Sequence, residues 1–222
     1  MAERESAESG TRQGNPRKPQ GDAGTQMLRR MNESHWEVTG WALSLWQFGA
    51  ADRVLDIGCG GGATLHRMAE QVPDGHLTGV DYSPVSVALS RETNAEAIAA
   101  GHMEIREASV ENLPFEDGSF DKIITVESFY FWPDPQENLR EVRRVLAPGG
   151  RFFLVADIYQ NGALSPATEE MAAEYQLFNP TKEEFRRLFE KAGFSETVVH
   201  TKEGTSWICV EGRTPHAEGG GQ

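Results

Sequence analysis

The chain has 222 residues, of which 38% are hydrophobic and 25% charged, and this length suits one domain with a full hydrophobic core. A formal net charge of -13 disfavours nucleic acid or an anionic membrane as a partner. Two cysteines provide neither a disulfide framework nor a Cys-x-x-Cys metal pair, so we expect a cytoplasmic protein.

Two terminal segments lack the composition of a folded domain. Residues 1–24 contain no Val, Ile, Leu, Phe, Tyr or Trp, and such a segment cannot bury enough apolar surface to offset the entropy of ordering it. The prediction is a disordered tail at 1–24, a second one at 213–222, and a single domain at 25–212. The first apolar segment is interrupted by polar residues and glycine, which excludes a membrane span there.

The domain begins with two helical stripes within residues 25–48, formed by Met27, Leu28, Met31 and His35, and by Val38, Trp41, Ala42, Leu45 and Trp46. Five strands are then predicted, alternating with helices, at 53–57, 77–80, 103–107, 120–126 and 151–157. Residues 181–184 form a capping box that begins a late helix, and 196–201 and 205–210 read as a hairpin. This alternation predicts a doubly wound, mostly parallel α/β sheet whose ligands bind beyond the carboxyl ends of the strands.

The stretch VLDIGCGGG at 54–62 lies where a strand meets a helix, the context in which a glycine-rich loop holds a nucleotide-type cofactor. The pattern Gly58-x-Gly60-x-x-Ala63 also fits the dinucleotide fingerprint, so the glycines alone leave two cofactor classes open. Asp56 separates them, because an acid at the end of the strand repels a pyrophosphate and attracts an ammonium or sulfonium group. Asp81 ends the second strand, where its carboxylate can accept hydrogen bonds from both ribose hydroxyls.

Four motifs in the correct order now resemble a class I S-adenosylmethionine-dependent methyltransferase over roughly residues 30–212. They are VLDIGCGGG, GVDYS at 79–83, ASVENLPFEDGSFDKIITVES at 108–128 and EVRRVLAPGGRFFLV at 141–155. The resemblance implies a Rossmann-like, seven-stranded sheet with its last strand antiparallel, N-terminal capping helices at 25–48, and S-adenosylmethionine as cofactor. Residues 158–180, longer than an ordinary connection, are a possible lid over the acceptor.

The resemblance also implies which residues bind the cofactor. Asp56, Gly58 and Gly60 line the methionine moiety. Cys59, which lies between the two glycines, contributes its backbone. Asp81 holds the ribose and Tyr82 lies against the adenine. The family usually has an aspartate where Ser109 stands, so adenine recognition is expected to rely more on the Val110 backbone and on stacking.

Three residues are candidates for catalysis. Glu127 and Tyr130 follow the fourth strand, which in the resembling family faces the cofactor sulfur and the acceptor, and Glu127 also contributes to the predicted cofactor site. A buried acid at that position needs a partner, whereas the aromatic residues at 129–132 have packing as an alternative role. His35 is either a general base or a packed histidine beside Trp36.

The predicted function is methyl transfer from S-adenosylmethionine to a small-molecule acceptor by in-line displacement, with no metal ion, in a monomer or homodimer. A sensor that binds S-adenosylmethionine without catalysis has the same cofactor motifs and stays open. A nicotinamide-dependent oxidoreductase is the less favoured alternative, because it should lack Asp56 and needs a further catalytic domain. The identity of the acceptor atom is not readable from these residues.

Overall fold

The computed structural model describes residues 13–216. Seven strands form one sheet in the order β3-β2-β1-β4-β5-β7-β6, numbered along the chain. The chain divides into two compact units, Met1–Ser109 and Val110–Gln222, and each is described separately below. The predicted seven-stranded α/β fold is confirmed.

From Gly21 onward, the first unit contains three parallel strands and five helices. Helices α1 and α2 come first (Gly21–Ser34 and Trp36–Ser44), and strands β1 to β3 (Arg53–Ile57, His76–Asp81 and Met103–Glu107) alternate with α3, α4 and α5 (Ala63–Ala69, Pro84–Thr93 and Ala95–Ala99). Strand β2 pairs in parallel with both β1 and β3. Ser83 caps α4, whose first residue is Pro84, as its sequence predicts.

The second unit contains a parallel pair and an antiparallel pair of strands. Strand β4 (Phe120–Val126) leads through a short 3₁₀ turn (Phe129–Phe131) to α6 and β5 (Pro135–Val145 and Leu146–Ala156). Helices α7 and α8 (Pro166–Glu174 and Lys182–Ala192) precede β6 and β7 (Glu196–Thr201 and Ile208–Arg213). Strand β5 runs parallel to β4 and antiparallel to β7, which confirms the predicted antiparallel last strand.

Strand β5 begins at Leu146, five residues before its predicted start at 151. Helix α6 ends at Val145, and Leu146 already has an extended backbone that pairs with Phe120. The register then shifts between Phe120 and Lys122, so the Pro-Gly-Gly at 148–150 lies within an irregular start of the strand. The sequence predicts that the helix includes Leu146 and stops at this Pro-Gly-Gly, whereas the helix ends earlier, at Val145, and the strand runs through these residues.

Aromatic packing forms the core of the second unit. The ring of Phe152 stacks on those of Phe189 and Phe194, with centroids 5.5 and 5.9 Å away. Phe129 packs edge-on against Trp132 at 5.1 Å, and both side chains are buried. Two of the four aromatic residues at 129–132 therefore have a packing role.

The N-terminal segment is ordered earlier than its composition predicts. Helix α1 begins at Gly21, inside the predicted tail at 1–24. Before it, the carbonyl oxygens of Arg17 and Pro19 accept hydrogen bonds from Tyr82 Oη and Ser83 Oγ. Apolar burial is not what orders this segment; hydrogen bonds to its backbone carbonyls hold it. The predicted C-terminal tail at 213–222 also begins too early, because Arg213 is the last residue of β7 and Thr214 is buried and donates to the Ala147 carbonyl. Residues 1–12 and 217–222 of the two predicted tails lie outside the described residues.

Within residues 13–216, no helix has both the length and the apolar character needed to cross a membrane.

Candidate functional site

The glycine-rich loop after β1 folds back against the end of β2. The backbone N–H groups of Gly58 and Cys59 donate to the carbonyl of Val80 at 2.8 and 3.0 Å. Gly58 and Gly60 have φ angles of 73° and 51°, which lie in the left-handed region that glycine adopts without strain. The loop therefore places backbone without side chains at the carboxyl ends of two parallel strands.

Asp81 joins this loop to the one that follows β2. Its Oδ2 accepts from the Gly60 N–H at 3.0 Å, and its Oδ1 accepts from the Ser83 N–H at 2.9 Å. The side chain is 8% exposed, and burial raises its pKa while these two hydrogen bonds lower it. Each carboxylate oxygen can accept a further hydrogen bond, so the position fits the hydroxyl pair of a ribose.

Asp56 is a buried carboxylate that lacks partners. It is 1% exposed, and neither of its oxygens has a hydrogen-bond partner among the described residues. Burial, with a smaller contribution from the negative charge of Asp81, raises its pKa to about 8. A buried carboxylate in this state is stabilised by a cationic ligand, so the residues here fit a ligand that carries an ammonium or sulfonium group.

We expect Asp56→Asn to stabilise the ligand-free protein at alkaline pH. The folded-state pKa of about 8 lies above the ordinary aspartate value of about 3.9, so the folded protein binds this proton more tightly than the unfolded chain does. Wild-type stability therefore falls as the pH rises between those two values, and asparagine removes this loss.

Thermal unfolding of both proteins at about pH 5 and about pH 9 tests this expectation. The melting temperature of Asp56→Asn relative to wild type should be higher at the alkaline pH. Glu107→Gln, which neutralises an exposed acid at the end of β3, is the matched control. An equal difference at both pH values would contradict the assignment of a raised pKa to Asp56.

Tyr82 and Ser83 are covered by the N-terminal segment formed by residues 13–20. Tyr82 is 38% exposed, and its hydroxyl donates to the Arg17 carbonyl while Lys18 Nζ lies 5.2 Å from its ring centroid. Ser83 Oγ donates to the Pro19 carbonyl at 2.7 Å. The residue predicted to contact adenine is thus held by this segment.

Deleting residues 2–20 should destabilise the protein and weaken ligand binding beside Tyr82. The deletion removes two hydrogen bonds, each contributing about 1 kcal/mol, together with the cation–π contact of Lys18. Deletion of residues 2–12 leaves these contacts in place and serves as the control. Melting temperatures measured side by side should fall only for the longer deletion; equal values for the two would show that these contacts contribute nothing.

Ser109 and Val110 follow the end of β3. Val110 is buried and Ser109 half-buried. The preceding N–H, that of Ala108, donates to the Asp81 carbonyl at 3.0 Å, which fixes the chain at the end of β2. Ser109 is therefore placed near the loop that carries Asp81.

His35 lies between α1 and α2 and is half-buried. Its N–H donates to the Met31 carbonyl and its carbonyl accepts from the Thr39 N–H, both at 3.0 Å. Helical hydrogen bonding therefore continues through His35 from α1 into α2. A catalytic role for the His35 ring stays a prediction.

Glu127, directly after β4, is buried in an unusual backbone conformation. Its φ angle of 53° is left-handed, and the side chain is 5% exposed. Its Oε2 accepts a hydrogen bond from Tyr130 Oη at 2.9 Å, whereas Oε1 has no partner among residues 13–216. Burial, and then the nearby charge of Asp157, raises the pKa of Glu127 well above its ordinary value.

Asp157 is a site residue that the sequence reasoning missed. It follows the last residue of β5, and an oxygen of its carboxylate lies within 4.8 Å of an oxygen of Glu127. The available signal was the one used for Asp56 and Asp81, an acid at the carboxyl end of a buried strand. The predicted fifth strand, 151–157, includes Asp157, whereas β5 ends at Ala156.

The fold and the loop define an α/β protein with a nucleotide-type cofactor site at the carboxyl ends of its parallel strands. Residues 55–154 match the family model described as a methyltransferase domain. Among solved structures, phosphoethanolamine N-methyltransferase 2 of Haemonchus contortus in complex with S-adenosylhomocysteine superposes with a TM-score of 0.71 at 17% identity, over 82% of this chain and 53% of that one.

Two curated relatives are also methyltransferases. One is 2-methyl-6-phytyl-1,4-hydroquinone methyltransferase 1, chloroplastic, of Oryza sativa, which is 32% identical over 66% of this chain and 42% of its own length. The other is O-methyltransferase rstn1 of Aspergillus nomiae, 31% identical over 64% of each chain. This chain therefore spans less than two thirds of either relative.

Over residues 55–154 the chain is thus similar to the class I S-adenosylmethionine-dependent methyltransferases. The cofactor of this family is S-adenosylmethionine, as the sequence motifs predict.

Proposed function

We propose that this chain is an enzyme that transfers the methyl group of S-adenosylmethionine to a small-molecule acceptor. The observation that carries the proposal is the pair of buried carboxylates at the ends of β1 and β2. Asp56 lacks any hydrogen-bond partner among the described residues, and Asp81 is held by the backbone of two loops. S-adenosylmethionine offers a cationic methionine moiety to the Asp56 carboxylate and ribose hydroxyl donors to the Asp81 carboxylate.

Each residue of this loop region has a distinct part in binding. Asp81 accepts hydrogen bonds from the ribose hydroxyls, and Asp56 offsets the positive charge of the methionine moiety. Gly58 and Gly60 let the backbone approach closely, while Tyr82, Ser109 and Val110 contact the adenine. When bound, S-adenosylmethionine supplies a methyl group already activated by its sulfonium, so the protein has to align the acceptor and exclude water.

The acceptor is a small molecule that loses a proton during transfer. The relatives' names include a hydroquinone and O-methylation, and Glu127 with Tyr130 offers a buried acid–base group that such an acceptor needs. We propose that transfer requires no metal ion and that residues 158–180 close over the acceptor. A cytoplasmic location and a monomeric or homodimeric state stay predictions.

The test is transfer of isotope from methyl-labelled S-adenosylmethionine to a metabolite extract and to a panel of phenols and amines. The proposal predicts labelled product, with or without a chelator. Tight cofactor binding without any labelled product would favour the sensor. Reduction of a nicotinamide by a member of the extract, without methyl transfer, would favour the oxidoreductase.

A further inference from the structure

Two acids follow neighbouring parallel strands in the second unit. Strands β4 and β5 pair in parallel with Val126 opposite Val155, and the N–H of Glu127 donates to the Val155 carbonyl at 3.0 Å. Glu127 and Asp157 are the residues that come directly after these two strands. The register therefore brings both carboxyl groups to one edge of the sheet, with oxygens within 4.8 Å of each other.

Few hydrogen-bond donors face Glu127 within the described part of the second unit; besides Tyr130 there is the backbone N–H of Asp157. Within residues 110–216, the titratable groups that face Glu127 are Tyr130 and Asp157. Tyr130 donates one hydrogen bond to Oε2, and Oε1 is buried without a partner among the described residues. Glu127 is buried and Asp157 half-buried. Two like charges at this distance hold one proton more tightly than an isolated carboxylate does.

The backbone of Glu127 indicates that this arrangement is specific. Glutamate rarely adopts a φ of 53°, and such conformations persist where the surrounding structure imposes them, often at functional sites. The left-handed turn directs the chain from β4 into the 3₁₀ turn that carries Tyr130. The hydroxyl of Tyr130 and the carboxyl of Glu127 thereby meet three residues apart.

We propose that Glu127 and Asp157 act as one acid–base pair that removes the proton of a hydroxyl acceptor, with Glu127 as the base and Asp157 as the residue that raises its basicity. The inference rests on the proposed function and adds the acceptor class, a phenol or enol. Glu127 Oε1 takes the hydroxyl proton as the acceptor oxygen bonds to the methyl carbon. The carbon–sulfur bond breaks, its electron pair stays on sulfur, and the proton remains shared between the carboxyl groups.

A hydroxyl acceptor accounts for this pair better than an amine does. A neutral amine attacks the methyl carbon with its own lone pair and needs no base before the bond forms. A phenol becomes a strong nucleophile on losing its proton, and a base with a raised pKa suits that transfer near neutral pH.

Two substitutions should move the protonation of Glu127 in opposite directions. Asp157→Asn removes the neighbouring negative charge, so the pKa of Glu127 falls. Tyr130→Phe removes the hydrogen bond that stabilises the ionised form, so the pKa of Glu127 rises. General destabilisation of the fold would not produce two opposite shifts.

The experiment is an infrared titration of the full chain with S-adenosylhomocysteine bound, following the protonated-carboxyl band of isotope-labelled glutamate. In wild type, the band should persist to a pH well above the ordinary carboxyl range, and Glu127→Gln should lose this band. Asp157→Asn should shift the titration to lower pH, and Tyr130→Phe should shift it to higher pH. Glu203→Gln, in an exposed turn, should titrate like wild type. A wild-type band that disappears at an ordinary carboxyl pKa would overturn the shared-proton pair, whatever the protein methylates.

Methyl transfer tests the acceptor class separately, with 2-methylhydroquinone and a primary aromatic amine as probes. The rate of methyl transfer to the hydroquinone should rise with pH. The pH at which this rate rises should shift to lower values in Asp157→Asn and to higher values in Tyr130→Phe, as the infrared band does. Methylation of the amine alone would overturn the hydroxyl acceptor while the proposed methyltransferase activity stands. No transfer to any acceptor, with the infrared pair intact, would overturn the proposed function as well as the catalytic role of the pair.

Discussion

Replacing Asp81 by alanine should lower the affinity for S-adenosylmethionine by about a hundredfold or more. The carboxylate is placed to accept two hydrogen bonds from ribose hydroxyls, and each such bond to a charged group contributes about 1.5 to 3 kcal/mol. The substitution also leaves the N–H groups of Gly60 and Ser83 without the acceptor they have in the folded protein. The loop is then less well ordered for binding.

Titration calorimetry with S-adenosylhomocysteine measures this loss. Asp81→Asn is the matched control, because it keeps the size of the side chain and one acceptor oxygen and should lose less affinity than alanine. Circular dichroism confirms that each variant is folded. Unchanged binding by Asp81→Ala would refute the assignment of this residue to the ribose.

Replacing Glu127 by glutamine should lower the rate of methyl transfer by about 10² to 10⁴-fold, the usual contribution of a general base. Glutamine keeps the shape of the side chain but cannot take the acceptor's proton. It also removes a buried group whose pKa is raised well above the ordinary range, so the ligand-free fold should not lose stability near neutral pH.

The informative comparison is rate against affinity. Binding of S-adenosylhomocysteine to Glu127→Gln should stay within a fewfold of wild type while single-turnover transfer becomes slow. If rate and cofactor affinity fell together by the same factor, Glu127 would be a cofactor-binding residue and not the base.

The residues that sequence alone identifies are those whose position is set by local rules. Strand β4 is rich in apolar residues, and it is predicted at the bounds that the structure shows. Ser83 followed by Pro84 marks the observed start of helix α4. The position of Asp81 at the end of β2 follows from a similar local rule, and its role in binding the ribose stays a prediction.

Other features depend on contacts between distant parts of the chain. The early start of β5 follows from the pairing of Leu146 with Phe120, which no local pattern reveals. Residues 17 and 19 are held by hydrogen bonds from Tyr82 and Ser83, more than sixty residues away. Asp157 lies beside Glu127 because of the register between β5 and β4, and the sequence does not specify that register.

The most direct test of the central claim is equilibrium binding of S-adenosylhomocysteine to the full chain, measured by calorimetry in the presence and absence of excess NAD. The Asp56 and Asp81 carboxylates predict saturable one-to-one binding that NAD does not displace, because a pyrophosphate beside Asp56 is repelled. Binding of NAD, or no binding of S-adenosylhomocysteine by the folded protein, would contradict the account.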